Sequence, residues 1–259
     1  MSCHLHKHNA VKKIMQNIIA TFAEQYGLTR NEVMADIENV FSSVLSRWYR
    51  LEVMVFFRND LQLEAVAYNK INGVTMQRLV DLTAIRGPNT LKKHLEKSLT
   101  RSAVLKQTRY YKSYEKELCW GDIIAHDSEQ NIFVETEIIP GQIVTAVCPL
   151  NRIGLHERNS GNFSIGMRRA FHVRRIDPVV LGDTPRLKIV VDRVSKTLVE
   201  TLLKSNLGPE AERISFRCVK RYVGHKSFVL TTKRLPKSAI TAVSQELKER
   251  VQVNFVKKI

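Results

Sequence analysis

From about Trp120 the spacing of apolar side chains changes. Before that point they mostly recur every three or four residues, and for about 75 residues after it they mostly alternate. A period near 3.6 buries one stripe of a helix, and a period of two buries one face of a strand. Neither pattern sits stably as the other. The chain is therefore expected to be α+β and multidomain, with helices leading and strands following.

The leading part reads as a helical pair. Val11, Ile14, Met15, Ile18, Ile19 and Phe22 keep helical spacing, and Gly27 offers a left-handed stop. "LTRNE" follows with a capping box, in which the Thr29 hydroxyl accepts from the Glu32 amide and the Glu32 side chain reaches back. Val33, Ile37, Val40, Phe41, Val44, Leu45 and Trp48 then form one stripe. "LEVMVFF" and "LQLEAVAY", parted by "RND", predict a hairpin. Thr75 to Ile85 reads as a short helix, and Thr90 to about Lys112 as a longer one with Leu91, Leu95, Leu99 and Ala103 at spacing four.

Five strand-like runs follow: "WGDIIAH", "NIFVETEI", "QIVTAVC", "MRRAFHVRRI" and "RLKIVVDRV", with a long loop between the third and fourth. That count and spacing suit a five-stranded OB-type barrel. Phe171 and Val173 should point inward, with His172 and Arg174 on the opposite face. Phe133 is either a platform for stacking a base or a core residue.

"VSKTLVETLLKSNLG" is an amphipathic helix stopped at Gly208-Pro209. "RISFRCVKRY" and "KSFVLTTKR" then read as strands turning at Val223-Gly224-His225. "SAITAVSQELKERVQVNF" runs from a helix (Ile240, Val243, Leu247) straight into a strand (Val251, Val253, Phe255). The tail is a small α/β unit with a basic rim of Lys220, Arg221, Lys226, Lys233, Arg234 and Lys237.

Charge divides the chain. Residues 1–150 hold 18 Lys and Arg against 16 Asp and Glu, while residues 151–259 hold 23 against 9, within a net charge of +16. So lopsided a split points to a polyanion-binding half joined to a half with another task. Arg168, Arg169, Arg174 and Arg175 belong to the basic half and favour RNA. The four cysteines show no CxxC pair and read as reduced thiols. Cys3, His4, His6 and His8 have metal-ligand chemistry without a second ligand pair, so no metal or other cofactor is expected. No run approaches a membrane span and the start lacks a secretion signal, so a cytoplasmic protein with no membrane partner is expected.

Four patches, in order, resemble the NusA family of bacterial transcription elongation and termination factors. They are "YGLTRNEVMADIENVFSSVLSRWYRLEVMVFF", "LHERNSGNFSIGMRRAFHVRRI", "LKIVVDRVSKTLVETLLKSNL" and "AVSQELKERVQVNF". The resemblance implies a polymerase-docking domain over residues 1–112, a barrel of the ribosomal S-one type over 113–193, and a linker helix with a truncated KH-like domain over 194–259. It implies RNA polymerase and nascent single-stranded RNA as partners, together with other elongation or antitermination factors. Arg30, Arg47, Trp48 and Arg50 would dock polymerase. Phe133, His172 and the basic residues named above would meet RNA. The likeness is to a shortened, specialised paralogue. No glycine follows Gly224, so the GxxG loop that clamps nucleotides in KH domains is missing and a degenerate KH-like α/β domain is expected. A second KH domain has no counterpart, and a helical stretch at 75–112 stands where the family carries part of a strand insertion.

Two other classes fit less of the sequence. An RNA-binding regulator of translation or RNA stability needs only the barrel and basic tail. A metal-dependent nuclease needs clustered carboxylates. The nearest candidates, Asp122, Asp127 and Glu129, fall on a strand end and a turn. The expectation is a protein that works by contacts and is not an enzyme.

Overall fold

The computed structural model describes residues 2–69, 73–80, 87–158, 161 and 163–257, with side chains for all of these except 2–12, 69 and 75. The Cys3, His4, His6 and His8 side chains lie outside that set. Among the described residues the fold is mixed α/β, with six α-helices and three sheets, one of them five-stranded. The chain divides into two compact units, residues 1–107 with 178–186, and residues 108–177 with 187–259. The segments expected as barrel and tail fall in the second unit, except residues 178–186, which belong to the first.

In the first unit, α1 (Ser2–Tyr26) and α2 (Arg30–Tyr49) pack through Met15, Ile19, Val33, Ile37, Val40 and Phe41. The capping box forms: the Glu32 amide donates to Thr29 Oγ1 at 3.3 Å, and the Thr29 amide donates to Glu32 Oε2 at 2.6 Å. That backbone N–H, aided by Lys106 Nζ at 3.0 Å, holds the Glu32 carboxyl down at about 2. Two stripe assignments need correction. Ile14 and Ile18 are exposed, and Trp48, in the last turn of α2, is 39% exposed and outside the apolar cluster. Spacing put them on the stripe, but among the described residues they stand outside the apolar cluster that buries their helices.

β1 (Glu52–Phe57) lies along α2. Glu38, Ser42 and Ser46, one turn apart, accept from the amides of Phe57, Val55 and Val53 at 2.8, 2.8 and 2.9 Å. A strand edge that would otherwise present bare amides is thus occupied by helix side chains. β1 pairs antiparallel with β2 (Leu63–Asn69), as the hairpin predicts, and β2 pairs with β3 (Gly73–Leu79). β3 corrects the helix expected from Thr75 over residues 75–79; residues 81–85 of that expectation lie outside the described residues, and the helix expected from Thr90 to about Lys112 forms. Val74, Met76 and Leu79 suit either period, and pairing with β2 decides the outcome. α3 (Pro88–Lys112) begins with a proline whose missing N–H costs nothing in a first turn. It buries Leu91 and Leu99. Ser98 Oγ donates to buried Asp36 at 2.9 Å, tying α3 to α2.

β4 (Leu118–His126), β5 (Ile132–Ile139), β6 (Gln142–Cys148), β7 (Arg168–Leu181) and β8 (Thr184–Asp192) form one closed sheet in the order β4-β5-β6-β8-β7, all of it in the second unit except the β7 and β8 residues within 178–186. Its interior holds Ile123, Ile132, Val134, Phe171, Val173, Ile176 and Val191, as alternation predicts for Phe171 and Val173. The β6–β7 connection carries a short helix, α4 (Leu155–Arg158). α5 (Lys196–Leu207) starts at Ser195, whose hydroxyl accepts from the Leu198 amide at 3.2 Å, and stops at Gly208. β9 (Phe216–Tyr222), β10 (Lys226–Thr231), α6 (Lys237–Leu247) and β11 (Arg250–Phe255) follow. β10 pairs antiparallel with β9 and parallel with β11. α5 and α6 cover one face of this sheet through Leu198, Leu202, Val243, Leu247, Cys218, Val229 and Val251.

Candidate nucleic-acid interface

Phe133 resolves its two readings. Its neighbours Ile132 and Val134 are buried in the closed sheet, so the Phe133 ring points to the outer face, half-buried. It stands opposite Val147 on β6, and directly opposed residues share a face. Val147 lines a cleft of about 480 Å³ with Asn131, Asn151, Arg158 and Lys188. The guanidinium of Arg158 is steadied by its Nε, which donates to the Ile153 carbonyl at 3.2 Å. An aromatic ring thus stands beside a cleft lined by two amides and two cations, with the Glu129 carboxylate at the same cleft. Asn131 is itself fixed by Asp127, whose carboxylate accepts from the Asn131 amide and side chain at 2.8 Å each and from the Glu129 amide at 2.9 Å. Those bonds, from the Asn131 side chain first, pull the Asp127 carboxyl below its usual range. Asp127 shapes a turn here.

The β7 residues separate. Arg168 is exposed beside Asp122 Oδ2 at 3.3 Å, and Arg175 beside Asp177 at 2.5 Å. Arg174 is partly exposed and reaches Asp192 at 3.3 Å. Arg169 is half-buried, its Nη2 donating to Met167 Sδ at 3.6 Å. His172 is a correction. It does lie opposite Phe171 and Val173, but α5 and α6 cover that face through Ala170. His172 is 6% exposed, with Nδ1 3.4 Å from Asp192 Oδ2, and cannot meet RNA. Burial alone would raise the Asp192 carboxyl, yet the His172 contact and the Ser195 amide at 2.9 Å bring it below its usual range.

In the tail, Lys233, Arg234 and Lys237 are exposed where β10 passes into α6, and Lys220 and Lys226 stand on the sheet face that no helix covers. Arg221 is the second correction. Its side chain is 1% exposed, with Nε donating to Glu249 Oε1 at 2.8 Å and Nη1 to the Ser195 carbonyl at 2.5 Å. Alternation turns it toward α5 and away from Lys220. In the first unit, Arg47, Trp48 and Arg50 gather at the end of α2 beside exposed Tyr49, Leu51 and Met54. Arg30 starts that helix, about 27 Å from Trp48 at 1.5 Å per residue, and is not part of the group.

No protein-family model matches the chain, and no curated protein matches it. The site rests on its own geometry.

One constellation escapes sequence reading altogether. Arg193 is wholly buried, between the Phe163 and Phe171 rings at 5.3 and 5.8 Å. Its guanidinium donates to Glu157 at 2.5 Å, to Glu246 Oε1 at 2.9 Å, and to the carbonyls of Ala170 and Glu246 at 2.6 and 3.0 Å. Glu157 leads these contacts in raising the Arg193 pKa against the opposing effect of burial. The cluster joins the closed sheet to α6 and presents nothing to a ligand. Nothing in the sequence separates Arg193 from exposed arginines of the same half such as Arg168 and Arg175. Among the described residues, no three His, Cys, Asp or Glu side chains gather as metal ligands.

Proposed function

We propose that the protein is a NusA-like transcription factor that holds RNA polymerase through its first unit and nascent single-stranded RNA through its second, altering pausing, termination or antitermination. On this reading the closed sheet is an OB-type barrel of the ribosomal S-one kind, and β9, β10, α6 and β11 are a KH-like domain without a GxxG loop. The observation that carries the RNA part is Phe133 turned outward beside the Arg158 and Lys188 cleft. OB-type barrels use that second- and third-strand face for oligonucleotides. The charge split supports the division of labour. The exposed Trp48, Tyr49, Leu51 and Met54 beside Arg47 and Arg50 support a protein contact, since aromatic and arginine side chains anchor interfaces.

The test uses the tagged full chain in two arms. RNA polymerase should be retained from host extract and lost when Arg47, Trp48 and Arg50 are replaced together. A labelled single-stranded RNA should bind with an affinity that falls with salt, at a logarithmic slope of about −0.7 per phosphate neutralised. Salt-insensitive RNA binding would overturn the RNA part. RNA binding without polymerase retention would replace the proposal with a regulator of translation or RNA stability acting away from polymerase.

A further inference from the structure

The sheet of the C-terminal segment has one face covered by α5 and α6 and one face open. Register defines what stands on the open side. Tyr222, Lys226 and Arg250 form one row across β9, β10 and β11, Lys220, Phe228 and Gln252 the next, and Arg217, Leu230 and Asn254 the third. Val219 is the extra residue of a bulge between the last two rows. The intervening residues Cys218, Ser227, Val229 and Val251 point to the helices and are buried.

The composition of that face is one-sided. β9, β10 and β11 contain no aspartate or glutamate, and four of their five cations, Arg217, Lys220, Lys226 and Arg250, stand on the open side. The fifth, Arg221, is turned inward and neutralised by Glu249. Two aromatic rings lie in the middle. Tyr222 and Phe228 are diagonal neighbours, with centroids 6.2 Å apart and planes at 74°. At that angle they cannot sandwich one flat ligand, but each offers a face of its own. Lys220 Nζ is 4.7 Å from the Tyr222 ring, and Lys226 Nζ is 4.9 Å from the Phe228 ring.

We propose that this open face is a stacking platform for single-stranded nucleic acid, seating one base on Tyr222 and one on Phe228. Lys220, Lys226 and Arg250 receive the flanking phosphates, and Gln252 and Asn254 offer amides to base edges. The inference rests on the RNA reading above and adds a second contact surface, separate from the Phe133 face. Charge selects a polyanion, and the paired rings select one whose bases are splayed. Duplex RNA hides its bases and should bind weakly. The platform also offers a grip where no GxxG loop exists.

The experiment measures binding of the full chain to a labelled single-stranded RNA of about twelve nucleotides, a length within the range of single-strand sites. The same measurement is repeated with an abasic strand and with an acidic peptide. The variants are Tyr222→Ala, Phe228→Leu, which keeps apolar bulk without an aromatic face, and Phe133→Ala. Circular dichroism checks that each folds. Loss of stacking should weaken RNA binding about five- to 150-fold at Tyr222 or Phe228, the range for a single stacked base. Salt slope and abasic-strand affinity should stay unchanged. Lys220→Gln with Lys226→Gln should instead flatten the salt slope. If folded Tyr222→Ala and Phe228→Leu proteins bind within twofold of the parent while Phe133→Ala does not, the platform fails and the RNA reading stands. If the parent binds the acidic peptide but no RNA, both fail.

Discussion

Arg193 and Glu157 face each other in the interior of the second unit, Nη2 to Oε1 at 2.5 Å, with side chains 0% and 3% exposed. A buried pair of this kind is weak evidence of added stability, but removing one member strands a charge in the core. Glu157→Gln or Arg193→Met alone should therefore lower unfolding stability by about 3–5 kcal/mol. Replacing Arg193, Glu157 and Glu246 together with apolar residues should cost less than the worst single change. Urea unfolding of all variants measures both outcomes.

Acid should loosen the same region through a different group. The folded Asp192 carboxyl titrates below its usual range. Its contribution is therefore fully present above the carboxyl's ordinary pKa and is lost as pH falls through the lower folded value. Asp192→Asn should melt at a lower temperature than the parent near neutrality, and the two curves should converge in acid. A pH series of thermal melts decides it.

Thr29 and Glu32 make a reciprocal cap at the start of α2. Thr29→Ala should cost about 1 kcal/mol, and Glu32→Gln less, because an amide still reaches the Thr29 backbone. The Glu32 part should be full above the carboxyl's ordinary pKa, decline as pH falls below it, and be gone once pH passes the folded value of about 2. Chemical denaturation at several pH values reads the difference.

Gly224 combines a left-handed φ of 78° with close contact to His156, where an added Cβ would lie 2.2 Å from Nδ1. Gly224→Ala should destabilise by more than the ~1–2 kcal/mol cost of that backbone conformation alone. His156→Ala in the same chain should recover the clash but not the backbone cost. A double-mutant cycle separates the two.

Cys119, Cys148 and Cys218 are buried free thiols. Burial pushes Cys119 up to about 12, and burial with nearby Glu200 pushes Cys218 up to about 11. Since the thiolate is the reactive form, all three should resist alkylation near pH 8 in the folded protein and react in concentrated urea. Peptide mass spectrometry gives the site-by-site answer.

The sequence made some of this architecture legible. Alternation located all five strands of the closed sheet, because a strand with one buried face leaves a period-two record. The Thr29–Glu32 cap was legible because both partners lie within one turn. β3 was not, since "GVTMQRL" buries little and its pairing with β2 leaves no local mark. His172 shows the limit of period reading. Its face was correct, but only packing by α5 and α6 makes that face an interior. Arg193 lies 36 residues from Glu157 and 53 from Glu246, a separation at which a buried guanidinium looks like a surface one. Of the candidate site, Lys220 and Lys226 were legible from charge, whereas Tyr222 and Phe228 became a pair only through the register of β9 and β10.

Arg193 and Arg221 each depend on a carboxylate made later, Glu246 and Glu249, 53 and 28 residues downstream. During synthesis both arginines are made, and Arg193 leaves the ribosome, before those partners can reach them. The closed sheet can begin to pair, but its junction with α6 must stay hydrated until α6 is out. A nascent chain stalled before Glu246 should expose the second unit to protease, and one released a few residues after Glu249 should begin to protect it.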